Sequence, residues 1–287
     1  MLSHPVNRSG GPIVLASVDQ NVEGAATLLQ AQALATALEG TLMILHVVPR
    51  PLLWGHKPTP AARDSLREGL RDWSQAMLGA PVEPNDIQVG AGSFVKETAL
   101  FARAVEATVV AVPTSVFTPA MGARGPRAGD RLLRSVVRPV LFAGTQAGQA
   151  RVVAATDLSS PWLPVVRVAA RMARSTGGRV LAVHNARISA SPATTPALPG
   201  LEPWRELRRL AADRSAHPPV DIVLTARPCP ATAIVEIAER RDAGLIVTGR
   251  RLSRLGTVPR RRGRTLRALL GSTDRSILAV PVTLPDA

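Results

Sequence analysis

Three short groups in the C-terminal half of this 287-residue chain have the residue types and spacing to hold a phosphorylated ligand. Asp157 ends one apolar run, Thr248-Gly249-Arg250 followed by Arg251 ends another, and Gly271-Ser272 is expected to open the final helix. A carboxylate accepts hydrogen bonds from ribose hydroxyls, and a glycine lets backbone approach a phosphate. A serine hydroxyl beside the free N–H groups of a helix start adds a donor at the positive end of the helix dipole. In an open parallel sheet all three groups lie beyond the carboxyl ends of the strands, where such folds bind ligands. Plainer roles also fit: Asp157 can close its own turn through its side chain, and Gly-Ser is a common helix start.

Other chemistries find little support. There is no Gly-x-Ser-x-Gly elbow, no Walker-type Gly-Lys-Ser/Thr and no ladder of Cys and His at metal-site spacing. Cys229 lies between Pro228 and Pro230 with no activating base nearby in sequence. His46 and His184 occupy matching strand ends without a nucleophile beside them, the pattern of hydrogen-bonded structural histidines. No metal and no enzymatic activity are expected beyond, at most, slow ATP hydrolysis.

The elements that must position these residues come in two copies. Ile13–Val18 followed by Asp19 corresponds to Val152–Thr156 followed by Asp157. Ile44-Leu45-His46-Val47 corresponds to Leu181-Ala182-Val183-His184, and both the Asp and the His pairs are 138 residues apart. Residues 107–112 answer residues 243–248. Each half is therefore one unit, 1–146 and 147–287. Within a unit, Val- and Ile-rich runs alternate with segments of helical period, which predicts a five-stranded, mainly parallel sheet with helices on both faces. Ala25, Leu29, Ala33 and Ala37 beside Leu34 and Leu38 predict the inward stripe of the first helix. Its counterpart is expected to start at Ser160-Pro161 and to bury Val165, Ala169, Met172 and Ala173. Leu66, Leu70, Trp73 and Met77, and Trp204, Leu207 and Ala211, mark surface helices, and residues 189–200 read as a loop over one end of the sheet. Third helices are expected near 96–105 and 232–240, and last strands at Val140–Ala143 and Ala279–Leu284.

Hydrophobic residues at 46% and charged residues at 20% place the chain among folded globular proteins. The longest apolar runs are far short of the roughly 20 residues that span a bilayer, and the first residues lack the pattern of a secretory signal. With a single cysteine, a cytoplasmic protein without membrane association is expected. The net charge of +14 is uneven: 13 basic and 11 acidic residues in 1–149 leave 22 and 10 in 150–287, a net of +12. Eight arginines (Arg250, Arg251, Arg254, Arg260, Arg261, Arg262, Arg264 and Arg267) fall in one stretch, so a polyanion is a partner class to test.

The strand ending in Asp, the strand ending in His, the apolar strand running into Gly249, and the closing Gly271-Ser272-x-x-Arg275-x-Ile277-Leu278-x-x-Pro281-Val282 region together resemble the universal stress protein family in tandem. The resemblance spans nearly all of both halves. It implies two Rossmann-like domains, a regulatory or binding role in stress responses, and in the second unit a site for an adenine nucleotide, ATP or AMP. That family's loop reads Gly-x-x-Gly-x9-Gly-Ser/Thr, and on this chain Asp157, Gly249, Gly271 and Ser272 match. The resemblance also implies packing of the two units through their last strands, and a homodimer. Two departures stand out. Leu252 occupies the place of the loop's second glycine, and 18 residues separate it from Gly271 where nine are expected, so arginines would have to replace backbone turns as phosphate ligands. In the first unit Pro113-Thr114-Ser115 and Gly129-Asp130 replace the glycine and Gly-Ser, and an aspartate there repels phosphate, so no nucleotide is expected in that half. The alternative is a nucleotide-free interaction module that uses residues 250–267 to bind nucleic acid or an acidic partner. Aromatic residues at 3% weigh against single-strand recognition.

Overall fold

A computed structural model describes residues 10–49, 59–117, 128–146, 149–158, 163–185, 201–212, 218–252 and 264–283. The chain divides into two compact units, Met1–Thr145 and Gln146–Ala287, one residue from the boundary expected from the repeat.

Unit 1 contains β1 (Ile13–Ser17), α1 (Val22–Ala37), β2 (Thr41–Pro49), α2 (Pro60–Leu78), β3 (Ile87–Gly92), α3 (Phe94–Ala104), β4 (Val109–Pro113), α4 (Ala128–Ser135) and β5 (Val140–Ala143). Its strands run parallel in the order β3-β2-β1-β4-β5. Every residue of β1 is buried, as expected of a central strand covered on both faces. Asn21 caps α1 by accepting from Gly24 N at 2.8 Å, and Thr59 caps α2 with Pro60 in the first turn and Gly79 in the left-handed conformation at the end.

In α1 the expectation is met at Leu34 and Leu38 and fails at Leu29 and Ala33. The buried face is Thr27, Leu28, Ala31, Leu34, Ala35 and Leu38, whereas Leu29 is 49% exposed and Ala33 faces solvent. The helix carries Glu23 as its one charged residue, so both faces are apolar and periodicity alone does not select the buried one.

Unit 2 repeats the plan with β6 (Gln149–Thr156), α5 (Leu163–Ser175), β7 (Arg179–Asn185), α6 (Leu201–Ala212), β8 (Val220–Thr225), α7 (Pro230–Arg240), β9 (Ala243–Leu252), α8 (Arg264–Leu270) and β10 (Ser276–Thr283). The order is β10-β9-β6-β7-β8, again all parallel. Val165, Ala169, Met172 and Ala173 of α5 are buried as expected, and so are Leu207 of α6 and Ile234 and Ala238 of α7. Right-handed crossovers put α5 and α6 on one face, and the reversal of direction after β8 puts α7 and α8 on the other. The cap expected at Ser160-Pro161, the loop 189–200, and Arg254 and residues 260–263 of the arginine stretch lie outside the described residues.

Candidate functional site

In unit 2 the chain leaves β6 and β9, which are neighbours, toward opposite faces, so their carboxyl ends form the topological switch point at which open parallel sheets bind ligands. Asp157 stands at the end of β6 and is exposed. The next residue, Leu158, is buried with φ of 52°, a left-handed conformation that a leucine rarely adopts. Its N–H donates to Thr156 Oγ1 at 3.0 Å, so a tight turn holds the Asp157 backbone at the rim while Leu158 is driven into the core. His184 at the end of β7 points Nδ1 at the Thr156 carbonyl, 3.1 Å away. In unit 1, His46 Nδ1 lies 3.0 Å from the Val18 carbonyl, across the same 28-residue separation. Both rings therefore brace the strand end that carries the aspartate, the structural role expected of them.

The three residues expected to close the fourth strand lie inside it. β9 continues to Leu252 and stays paired with β10, Gly249 opposite Val280, Arg250 opposite Pro281 and Arg251 opposite Val282. Thr248 is buried. A Cβ at Gly249 would stand 3.4 Å from Cγ2 of both Val165 and Val282, so that side of the glycine is filled by packed valines and offers no cradle for a phosphate. Side chains alternate along a strand, so Arg250 faces the α7 and α8 side. It is only 3% exposed, and burial pushes its guanidinium down to about 10. Arg250 stands two residues past Thr248, and Asp157 two past Ala155, where Ala155 and Thr248 are the last paired couple of β6 and β9. The register thus sets a buried cation inside β9 level with an exposed carboxylate just past the end of β6.

Gly271-Ser272 is the clearest correction. The pair follows α8 instead of opening a helix. Gly271 N donates to the Arg267 and Ala268 carbonyls, and Ser272 Oγ donates to the carbonyls of Ala268 at 2.8 Å and Leu269 at 3.2 Å. The hydroxyl therefore satisfies the carbonyls at the negative end of the helix, where a phosphate would be repelled. The residue that begins this helix is Arg264, preceded by Gly263. Fourteen positions separate Gly249 from Gly263, against 13 between the first and third glycines of the Gly-x-x-Gly-x9-Gly pattern. The signal was present in the sequence: Leu266, Leu269 and Leu270 at helical spacing just before Gly271 mark a helix ending there.

Unit 1 closes the corresponding places differently. Asp130 occupies the first turn of α4, and a Cβ on Gly129 would run into the ring of Phe117, itself packed edge to face on Phe142 with centroids 4.8 Å apart. Gly24 is likewise pressed against the Asp19 carbonyl. Asp19 Oδ1 lies 3.2 Å from His46 Nδ1, and that hydrogen bond raises the imidazole pKa above 6.5. Cys229 is exposed at the N-terminus of α7, and hydrogen bonds from Thr232 lower its thiol pKa. Among the described residues no cluster of three or more His, Cys, Asp or Glu could hold a metal ion, and no helix is long and apolar enough to cross a membrane.

Residues 150–283 match the family model described as the Universal stress protein family. A universal stress protein from Archaeoglobus fulgidus DSM 4304 is similar over 95% of this chain and 99% of its own, with a TM-score of 0.65 at 15% identity. A putative universal stress protein from Pseudomonas aeruginosa UCBPP-PA14 gives 0.62 at 16% identity over 95% and 94%. A functionally unknown protein from Pseudomonas aeruginosa PAO1 gives 0.58 at 18% over 95% and 93%. These likenesses show the α/β fold in both units. No curated protein matches the sequence. The C-terminal unit is a universal stress protein domain.

Proposed function

We propose that this universal stress protein domain is a non-enzymatic regulatory module that takes an adenine nucleotide, ATP or AMP, at the ends of β6 and β9, and that unit 1 is its ligand-free structural partner. The observation that carries this reading is Asp157: an exposed carboxylate held at the topological switch point by the strained Leu158 turn, where it can accept from ribose hydroxyls. The phosphate end would be met by guanidinium groups, with Arg250, Arg251 and Arg264 the candidates nearest the strand and helix ends, because the glycine side of β9 is packed and Ser272 serves α8.

Release of bound nucleotide from denatured protein, followed by titration of AMP and ATP against the wild type and Asp157→Asn, tests the reading. The variant keeps the size of the side chain and removes the charged acceptor, so binding is expected to weaken roughly tenfold to a hundredfold, the worth of a hydrogen bond to a charged group. Equal binding by the variant, or no binding by the wild type, overturns it. The packed valines beside Gly249 favour a second reading in that event, a nucleotide-free module acting through residues 250–267.

A further inference from the structure

Away from the ends of β6 and β9, the distinguishing feature of unit 2 is the surface of α5 and α6. Arg167, Arg171 and Arg174 lie on α5 at intervals of four and three, all exposed, forming one stripe along about 10 Å of helix. Arg205, Arg208 and Arg209 are exposed on α6, which shares that face of the sheet. The two helices hold six arginines against Glu202 and Glu206, a net of +4. The equivalent helices α1 and α2 hold Arg63, Arg67 and Arg71 against Glu23, Asp64, Glu68 and Asp72, a net of −1. There the charges are neutralised locally, with Arg67 at 2.9 Å from Asp64 and Arg71 at 3.5 Å from Asp72. The same scaffold thus folds without this charge, which makes the arginine face a feature of unit 2 and not a requirement of the fold.

We infer that the α5–α6 face binds the phosphate backbone of a nucleic-acid duplex without sequence preference. Guanidinium forks match phosphate oxygens, and every basic residue of unit 2 is an arginine. A protein partner would need a buried apolar anchor at the centre of the contact. Among the described residues the large exposed hydrophobic side chain of unit 2 is Leu224 on β8, and none is on α5 or α6. Trp204, half-buried on α6, is the one aromatic side chain of the two helices, so there is no row of stacking platforms for successive bases of a single strand, which leaves a duplex read through its charge. This inference does not depend on the nucleotide reading of the β6 and β9 ends.

The test uses the full chain, a fluorescent 25-base-pair DNA duplex and anisotropy titrations across a salt series. Wild-type affinity is expected to fall log-linearly with salt and to be the same for a scrambled duplex. Arg167→Gln with Arg171→Gln should reduce the salt slope by about 2, at roughly 0.9 per lost phosphate contact. Arg208→Gln with Arg209→Gln should reduce it comparably, and Arg63→Gln with Arg67→Gln in unit 1 should leave it unchanged. The unit 2 side chains are exposed and Arg63 and Arg67 are half-buried, and thermal melting establishes that the variants remain folded. Three results overturn the inference: no duplex binding; an unchanged slope in both unit 2 pairs while Arg260→Gln with Arg261→Gln and Arg262→Gln abolishes binding; or polyglutamate bound in place of the duplex with sensitivity to the same variants.

Discussion

Replacing Gly249 by alanine separates a glycine that makes room for a phosphate from one that only packs. The residue lies in the β9–β10 ladder and outside the left-handed region, so alanine adopts its backbone without strain. Its Cβ would meet Val165 Cγ2 and Val282 Cγ2 at 3.4 Å, ordinary contact at its tight edge. Loss of unfolded-state freedom contributes about 0.4–1 kcal/mol. The buried methyl contributes up to about 0.8 kcal/mol more, reduced by the adjustment of the two valines. A net gain of about 1 kcal/mol follows, a rise in melting temperature of about 3 °C for a unit of this size. Calorimetry and nucleotide titration on the same sample give the answer, with affinity expected to stay within twofold. A tenfold loss of nucleotide affinity would mean that ligand approaches this glycine after all, and a fall of several degrees would mean that the valines cannot yield; either outcome refutes the packing argument.

Gly24→Ala is expected to have the opposite sign, because its Cβ would overlap the Asp19 carbonyl and backbone must move: a loss of about 2 kcal/mol or more by denaturant unfolding, with a neutral result showing that the turn is soft. Ser272→Ala should leave nucleotide affinity unchanged and lower stability by less than about 1 kcal/mol, since the hydroxyl serves only the end of α8; loss of affinity would restore it to the site. The His46 imidazole should titrate above 6.5 by NMR and return toward the ordinary value in Asp19→Asn. Because the folded-state pKa is the raised one, the pair stabilises below about pH 6.5 and the contribution disappears as pH rises through the folded value; with Asp19 largely exposed it is expected to be at most about 1 kcal/mol. The Cys229 thiol should alkylate with a pH midpoint below the ordinary cysteine range, and a normal midpoint would mean that the first turn of α7 does not reach it.

How much of this was legible in the sequence depends on how many physical causes coincide at each element. β1 and β6 combine β-branched, apolar and uninterrupted character because both of their faces are covered, and the aspartates and histidines at equal spacing identified them as the same strand in the two copies. In α5 the arginines interrupt the apolar residues on one side and so name the buried face; in α1 alanines and leucines occur on both sides, so Leu34 and Leu38 are buried as expected while Leu29 and Ala33 are not. Gly271-Ser272 failed for a related reason. Glycine followed by serine serves either end of a helix, and what decides is the preceding Leu266-x-x-Leu269-Leu270 period, which places the pair after the helix. The continuation of β9 past Gly249 was not legible at all, because it depends on pairing with β10 and on Val165 and Val282 filling the space a side chain would take.

The two units separate what the fold requires from what has diverged. Both keep a histidine whose Nδ1 meets the carbonyl before the first-strand aspartate, so that latch belongs to the scaffold. They part at the surfaces the scaffold does not constrain. Unit 1 carries nearly equal numbers of both charges on α1 and α2 and packs Phe117 against the first turn of α4, while unit 2 carries a net of +4 on α5 and α6 and buries Arg250 inside β9. Burying a guanidinium is costly unless something nearby holds it charged. Loops and exposed helix faces are where a conserved architecture acquires a role. The difference between the units is therefore one of charge, and it is on unit 2 that the anion sites proposed above, at the ends of β6 and β9 and on the α5–α6 face, can be tested against unit 1 as the internal control.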